Sequence, residues 1–154
     1  MKFSPNFDQA EFEKNDPMPD ECKPVFIVLC NEILEVVRGH FGKRVKITSG
    51  YRSPKHNALI GGSATSQHVA TESYCAADFQ VEDTDPADVF NWMRSQPLPY
   101  DQLILEYGRV KESDLDDCIH VSYKMYAPRR VALIGATHGR GKYVRVDSAP
   151  LTTA

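Results

Sequence analysis

The sequence predicts an α+β fold in which a mainly antiparallel sheet carries flanking helices. Three observations predict it. Apolar residues at 26, 29, 30, 33, 34 and 37 mark one face of a helix. Several later segments alternate apolar and polar residues with the period of a strand. The order is helix, strand, short helix, strand, helix and then several strands, which suits α+β. A chain of 154 residues with no internal repeat is read as one domain, long enough to bury a core without disulfides.

The elements follow in order. Residues 1–19 are polar and carry Pro5, Pro17 and Pro19, so an extended arm is expected, with one short helical turn near 8–14. The first long helix starts between residues 20 and 24 and runs to about His40, with Gly42 as its stop. RVKITSG (44–50) reads as a strand. A short helix opens at Pro54 and ends at Gly61–Gly62. YCAADFQV (74–81) is a strand of small residues, and Asp85 then caps a helix that Pro86 opens and Pro97 terminates. DQLILEYG (101–108) and DCIHVSY (117–123) are two strands joined by a charged loop. RRVALI and KYVRVD are expected to form a last hairpin across GATHGRG.

Composition narrows the function. Hydrophobic content of 42% and charged content of 25% are those of an ordinary globular protein, and a net charge of −3 gives no broad attraction to nucleic acid or anionic membrane. The locally basic stretch 129–145 is read as a solvated surface. No run approaches the ~18 apolar residues of a membrane span. The N-terminus lacks the apolar core of a signal peptide, so synthesis in the cytosol without export by that route is expected. Cys22, Cys30, Cys75 and Cys118 form no CxxC pair and are expected as free thiols.

Two of the five histidines stand apart. His40 suits a helix C-terminus, His56 a polar turn, and His138 a glycine-flanked loop. His120, by contrast, lies mid-strand on the face opposite Ile119 and Val121. Asp78 lies likewise opposite Cys75, Ala77, Phe79 and Val81, among small residues that leave room for a second group. With His68 these residues make two imidazoles and a carboxylate, a common donor set for catalytic zinc that leaves one position open.

ITSGYRS, GG, SQH, AADF, DQLILE and IHVSY, in this order between about residues 3 and 133, resemble the zinc D-alanyl-D-alanine carboxypeptidase family of phage and bacterial peptidoglycan peptidases, with the Hedgehog signalling domain as a distant relative. Residues 136–154 match only weakly. The resemblance implies one zinc held by His68, Asp78 and His120, a water in the open position, and Arg52 and Ser66 beside the substrate. A planar, permanently charged guanidinium is suited to a substrate carboxylate or carbonyl. For the general base it implies Glu106, at the end of the DQLILE strand, with Asp117, three before His120, as second candidate. On a regular strand Asp117 faces away from His120, which favours Glu106.

One departure is plain. The family pattern S-x-H-x-x-G-x-A-x-D has six residues between histidine and aspartate, whereas this chain has nine and lacks the glycine. Keeping the family spacing would put Cys75 at the ligand position. Strand alternation places Cys75 with the apolar residues, and AADF fixes the register on Asp78. The resemblance therefore implies a zinc metallopeptidase acting on peptidoglycan stem peptides, as a monomer, at the cell wall if it is a phage-type lytic or virion enzyme. The alternative, kept open by the altered spacing, is a non-enzymatic zinc-binding structural or interaction module of a phage particle.

Overall fold

A computed structural model describes residues 1–107, 117–135 and 143–150. Its architecture is α+β. Six strands form one sheet, in the order β3 (Val45–Ser49), β4 (Tyr74–Val81), β6 (Cys118–Lys124), β5 (Gln102–Glu106), β7 (Val131–Ile134) and β8 (Val144–Val146). All neighbouring pairs are antiparallel except β5 with β7. RRVALI and KYVRVD do pair as antiparallel neighbours. No helix among the described residues is long and apolar enough to cross a membrane.

The N-terminal segment is more ordered than an extended arm. β1 (Lys2–Ser4) and β2 (Phe7–Asp8) pair as a small ribbon, and α1 (Gln9–Phe12) follows directly. Phe3, Phe7 and Phe12 are buried and pack with Phe26 through ring contacts of 5.4–6.4 Å. The reason is aromatic burial: three phenylalanines in ten residues hold down a segment that is otherwise polar.

The long helix has the expected extent but not a single geometry. A 3₁₀ turn (Asp20–Cys22) leads into α2 (Lys23–Leu29), a π-helical stretch (Cys30–Leu34) and α3 (Glu35–Phe41). Asn31, in the π stretch, donates from Nδ2 to the carbonyls of Ile27 (2.8 Å) and Phe3 (3.0 Å), tying β1 to the helix where its hydrogen-bond ladder is shifted. Gly42 ends α3 in the left-handed region, at φ 63°, as a helix C-cap favours. α4 (Pro54–Leu59) and α5 (Pro86–Ser95) begin at their prolines. Ser53 and Asp85 cap them, accepting from the backbone N–H groups of His56 and Ala87.

Sheet alternation separates core from site. Cys75, Ala77, Phe79 and Val81 of β4, Leu103 and Leu105 of β5, and Ile119 and Val121 of β6 are buried in the core, which also holds Phe26, Leu29 and Val37 of the long helix and Phe90 and Met93 of α5. The opposite face carries Asp78, His120 and Glu106. The crossing segment, residues 50–73 with α4, connects β3 to β4 and brings Ser66, Gln67 and His68 to this second face.

Gly50, which leaves β3 for that crossing, lies against the backbone of Phe12. A Cβ here would sit 2.6 Å from both Cα and the carbonyl oxygen of Phe12. Tyr51 N–H already donates to that same oxygen, at 2.8 Å. Backbone cannot yield as a flexible side chain does, so Gly50→Ala is expected to destabilise the fold by about 1–3 kcal/mol, read as a lower urea midpoint at unchanged m-value.

Candidate metal centre

His68, Asp78 and His120 converge. Asp78 and His120 are directly opposite each other on β4 and β6, so the sheet register itself makes them neighbours. His68 arrives from the crossing segment and is buried, at 3% exposure. One potential ligand atom from each residue lies within 4.8 Å of the others. His68 Nε2 is 3.2 Å from Asp78 Oδ1, and His120 Nδ1 is 2.9 Å from the same oxygen.

The tautomer of His68 follows from its second contact. Nδ1 lies 2.7 Å from the carbonyl oxygen of Gly50, which can only accept, so Nδ1 carries a hydrogen. A neutral His68 then points its Nε2 lone pair at a carboxylate oxygen. Two acceptors 3.2 Å apart require a cation between them, either a proton or a metal ion. Two imidazoles and one carboxylate, with the buried imidazole aimed by a backbone carbonyl, fit a zinc site with open positions.

The electrostatics agree with this need for positive charge. Burial alone would raise the Asp78 carboxyl, but His68 and His120 outweigh burial and hold it well below the usual carboxylate range. Arg52 Nη2 lies 3.7 Å from Asp78 Oδ2 and donates to Ser49 Oγ at 3.3 Å. Its backbone N–H donates to the carbonyl of His68 at 2.9 Å, so Arg52 and His68 are coupled through the chain as well as through Asp78.

Glu106 shares this face one step along β5, opposite Cys118 and two residues beyond Ile104, the partner of His120. Burial raises its carboxyl above the ordinary value and nearby Asp78 adds to this, while His120, His68 and Tyr143 pull the other way. The Tyr143 hydroxyl donates to the carboxylate, 3.1 Å from Oε1 and 3.2 Å from Oε2. Burial and Glu106 together push the Tyr143 phenol up to about 12. Gly135 lets the two meet, since a Cβ there would lie 3.1 Å from Tyr143 Cε1 and 3.2 Å from Glu106 Oε2.

A cleft of about 660 Å³ opens beside these groups. Glu106, His120 and Ile104 line it, with Ser66 and Gln67 from the crossing segment and Tyr143 from the far edge. Ser66 Oγ accepts from the N–H of His68 at 3.3 Å, so it shapes the His68 turn as well as lining the cleft. Asp117 stands immediately before β6, at the parity of the core residues Ile119 and Val121, and its carbonyl accepts from Gln80 Nε2 at 2.7 Å. Cys118 lies on the site face and is half-buried. Cys75 is on the core face, fully buried, with its thiol pushed well up by burial. His40 stacks on Trp92 at 3.9 Å between centroids, away from the cluster; His56 is in α4; His138 lies outside the described residues.

Three supporting residues escape a reading of the sequence alone. Gly50 gives no sign of holding an imidazole, because the contact uses its backbone. Tyr143 lies far along the chain from Glu106. Asp101, part of a recognisable motif but without an assigned role, is fully buried. It accepts from Arg129 Nε and Nη2, from the N–H of Arg129, and from Gln67 Nε2 at 2.9 Å. It thereby anchors the residue next to His68. The extra residues between His68 and Asp78 are absorbed in a turn, in which Thr71 N–H donates to Tyr74 O and Ser73 N–H to Thr71 Oγ1.

Removing one ligand tests the cluster. Asp78→Asn and His120→Ala are expected to weaken Zn²⁺ binding at least about a hundredfold, judged against the 10–100-fold cost of losing a supporting contact alone, whereas Cys75→Ala retains it; calorimetric titration decides. The two histidines hold the Asp78 carboxyl well below the usual carboxylate range, so protonation of this carboxylate is expected not to compete with Zn²⁺ as pH falls through that range.

No curated protein matches the chain. A family model described as Peptidase M15 matches residues 5–114, a span that holds His68, Asp78, Arg52, Ser66 and Glu106 and ends before His120. With most of its length matched, and a cluster that could bind a metal contributed by residues inside and beyond the match, the chain belongs to the Peptidase M15 family of zinc-dependent peptidases.

Proposed function

We propose that this chain is a zinc metallopeptidase that hydrolyses peptidoglycan stem peptides, with His68, Asp78 and His120 as ligands and Glu106 as general base. The observation that carries the reading is the position of Glu106. It lies on the face of the sheet that presents His120 and Asp78, it lines the same cleft as His120, and burial raises its carboxyl. A zinc centre alone can be structural; a carboxylate of raised basicity beside it in an open cleft is what hydrolysis needs.

When bound, zinc supplies Lewis acidity to a water and to the scissile carbonyl. The chain's own residues do the rest. Glu106 accepts a proton from the attacking water and returns it to the leaving amine. Its raised proton affinity suits both halves of that task. Tyr143 holds both carboxylate oxygens and limits the rotation of the base. Arg52, beside Asp78, offers the rest of its guanidinium to a substrate carboxylate or carbonyl. Gly50 and Ser66 hold His68 in place through its ring and its backbone.

The stem-peptide substrate rests on the resemblance of SGYRS, SQH, AADF, DQLILE and IHVSY to peptidoglycan peptidases. Such an enzyme, if of the phage lytic or virion type, is made in the cytosol and acts at the cell wall. The non-enzymatic alternative predicts bound zinc without turnover of any wall peptide. Zinc-loaded protein incubated with purified peptidoglycan and synthetic stem peptides, with products read by mass spectrometry, separates the two.

Glu106→Gln is expected to lower kcat by about 10²–10⁴ while leaving zinc content at the wild-type level. Tyr143→Phe, which keeps the ring and loses the hydrogen bonds, is expected to lower kcat about tenfold with little change in KM, as a loss of about 1.4 kcal/mol confined to the transition state would.

A further inference from the structure

The end of the cleft remote from the metal cluster carries a cation that the chemistry above does not use. Lys124 ends β6 on the His120 face and lines the cleft. Opposite it on β4 stands Tyr74, which lines the cleft as well. Among the described residues no carboxylate pairs with Lys124. The other cation at this end, Arg129, is bound by Asp101 through two guanidinium nitrogens. Asp101 is thereby neutralised, and Glu106, the other acid lining the cleft, lies at the metal end. Among the described residues, Lys124 is thus the cation at this end of the cleft that no carboxylate holds in an ion pair.

The sheet provides the ruler. Lys124 is four residues from His120 on one strand and on the same face. At ~3.4 Å per residue their backbone positions are roughly 14 Å apart. An extended peptide covers that distance in about four residues. The extra residues between His68 and Asp78 belong to this end: they turn the chain into β4 at Tyr74, and Ser73 O accepts from the N–H of Met125, next to Lys124, at 2.8 Å. The departure in spacing and the unpaired cation thus occupy one place in the cleft.

We propose that Lys124 forms a subsite for a carboxylate that the substrate peptide carries about three or four residues from the scissile bond. This deepens the stem-peptide reading and rests on it for the position of the scissile bond. An ammonium at the end of a flexible stem recognises charge with loose geometry, so the subsite selects a free carboxylate over its carboxamide and tolerates either configuration of the residue bearing it.

The test uses paired synthetic stem peptides that differ only in a free carboxylate or a carboxamide on that residue. Zinc-loaded wild type is expected to favour the free carboxylate about fivefold in kcat/KM, the size of an ion pair worth about 1 kcal/mol. Lys124→Met is expected to abolish the preference, and Lys124→Glu to reverse it. The same preference should appear as a ratio of Kd values when both peptides bind Glu106→Gln, with no turnover involved. Equal use and equal binding of the two peptides by the wild type, or a preference that survives in Lys124→Glu, overturns the subsite. Cleavage of neither peptide with the binding preference intact overturns the peptidase reading and leaves the subsite standing.

Discussion

A single carboxylate oxygen organises this molecule. Asp78 Oδ1 lies within hydrogen-bonding range of one nitrogen from each of two imidazoles, and a neutral His68 turns an acceptor toward it because the other side of its ring donates to Gly50. An acid facing a lone pair is costly without a cation between them. The fold bears that cost by over-determining the positions. Asp78 and His120 are fixed by the β4–β6 register, His68 by a backbone carbonyl below and a serine hydroxyl beside it, and Gly50 by contact with the backbone of Phe12. The buried N-terminal phenylalanines therefore support the candidate metal site: they hold α1 where Phe12 meets Gly50.

A consequence is that the cluster is assembled from elements distant in the sequence and robust for different reasons. The strand pair brings two of the three groups together through backbone hydrogen bonds that any side chain could accompany. The third depends on a loop held by Asp101, which is buried with Arg129 and Gln67 as its partners. Burial raises the Asp101 carboxyl and the hydrogen bonds to Arg129 and Gln67 more than offset it, leaving its pKa lowered. The stability it contributes is therefore present above the ordinary carboxylate range and is lost as pH falls through its lowered folded value.

Much of this was legible in the residues because it rests on local chemistry. Period-two alternation put Asp78 and His120 on the face away from the core, and the prolines and caps at 53–54 and 85–86 begin helices where they should. The paired strands β7 and β8 follow from their β-branched runs. What was not legible depends on long-range packing. An N-terminus rich in polar residues and proline gives no local sign of a ribbon, since the burial that orders it comes from the long helix, with Phe26 among its partners. The π stretch carries Asn31, which reaches across to β1, a tertiary contact with no periodic signature. Tyr143 meets Glu106 only because β8 joins the sheet edge beyond β7.

The lengthened segment between His68 and Asp78 shows how a motif can change its spacing and keep its geometry. Ligand positions are set at two points, the turn at Ser66–His68 and the β4–β6 register, and neither depends on the number of residues between them. Added residues can collect in the turn before Tyr74 without moving Asp78, because moving it by one residue would carry Cys75, Ala77 and Phe79 out of the core. The same constraint excludes Cys75 as a ligand: its side chain could reach the site face only by exposing the rest of the strand's apolar set. Spacing in the chain is thus free to vary where the sheet fixes the site, and the variation falls in the turn before Tyr74, where it leaves the convergence of His68, Asp78 and His120 unchanged.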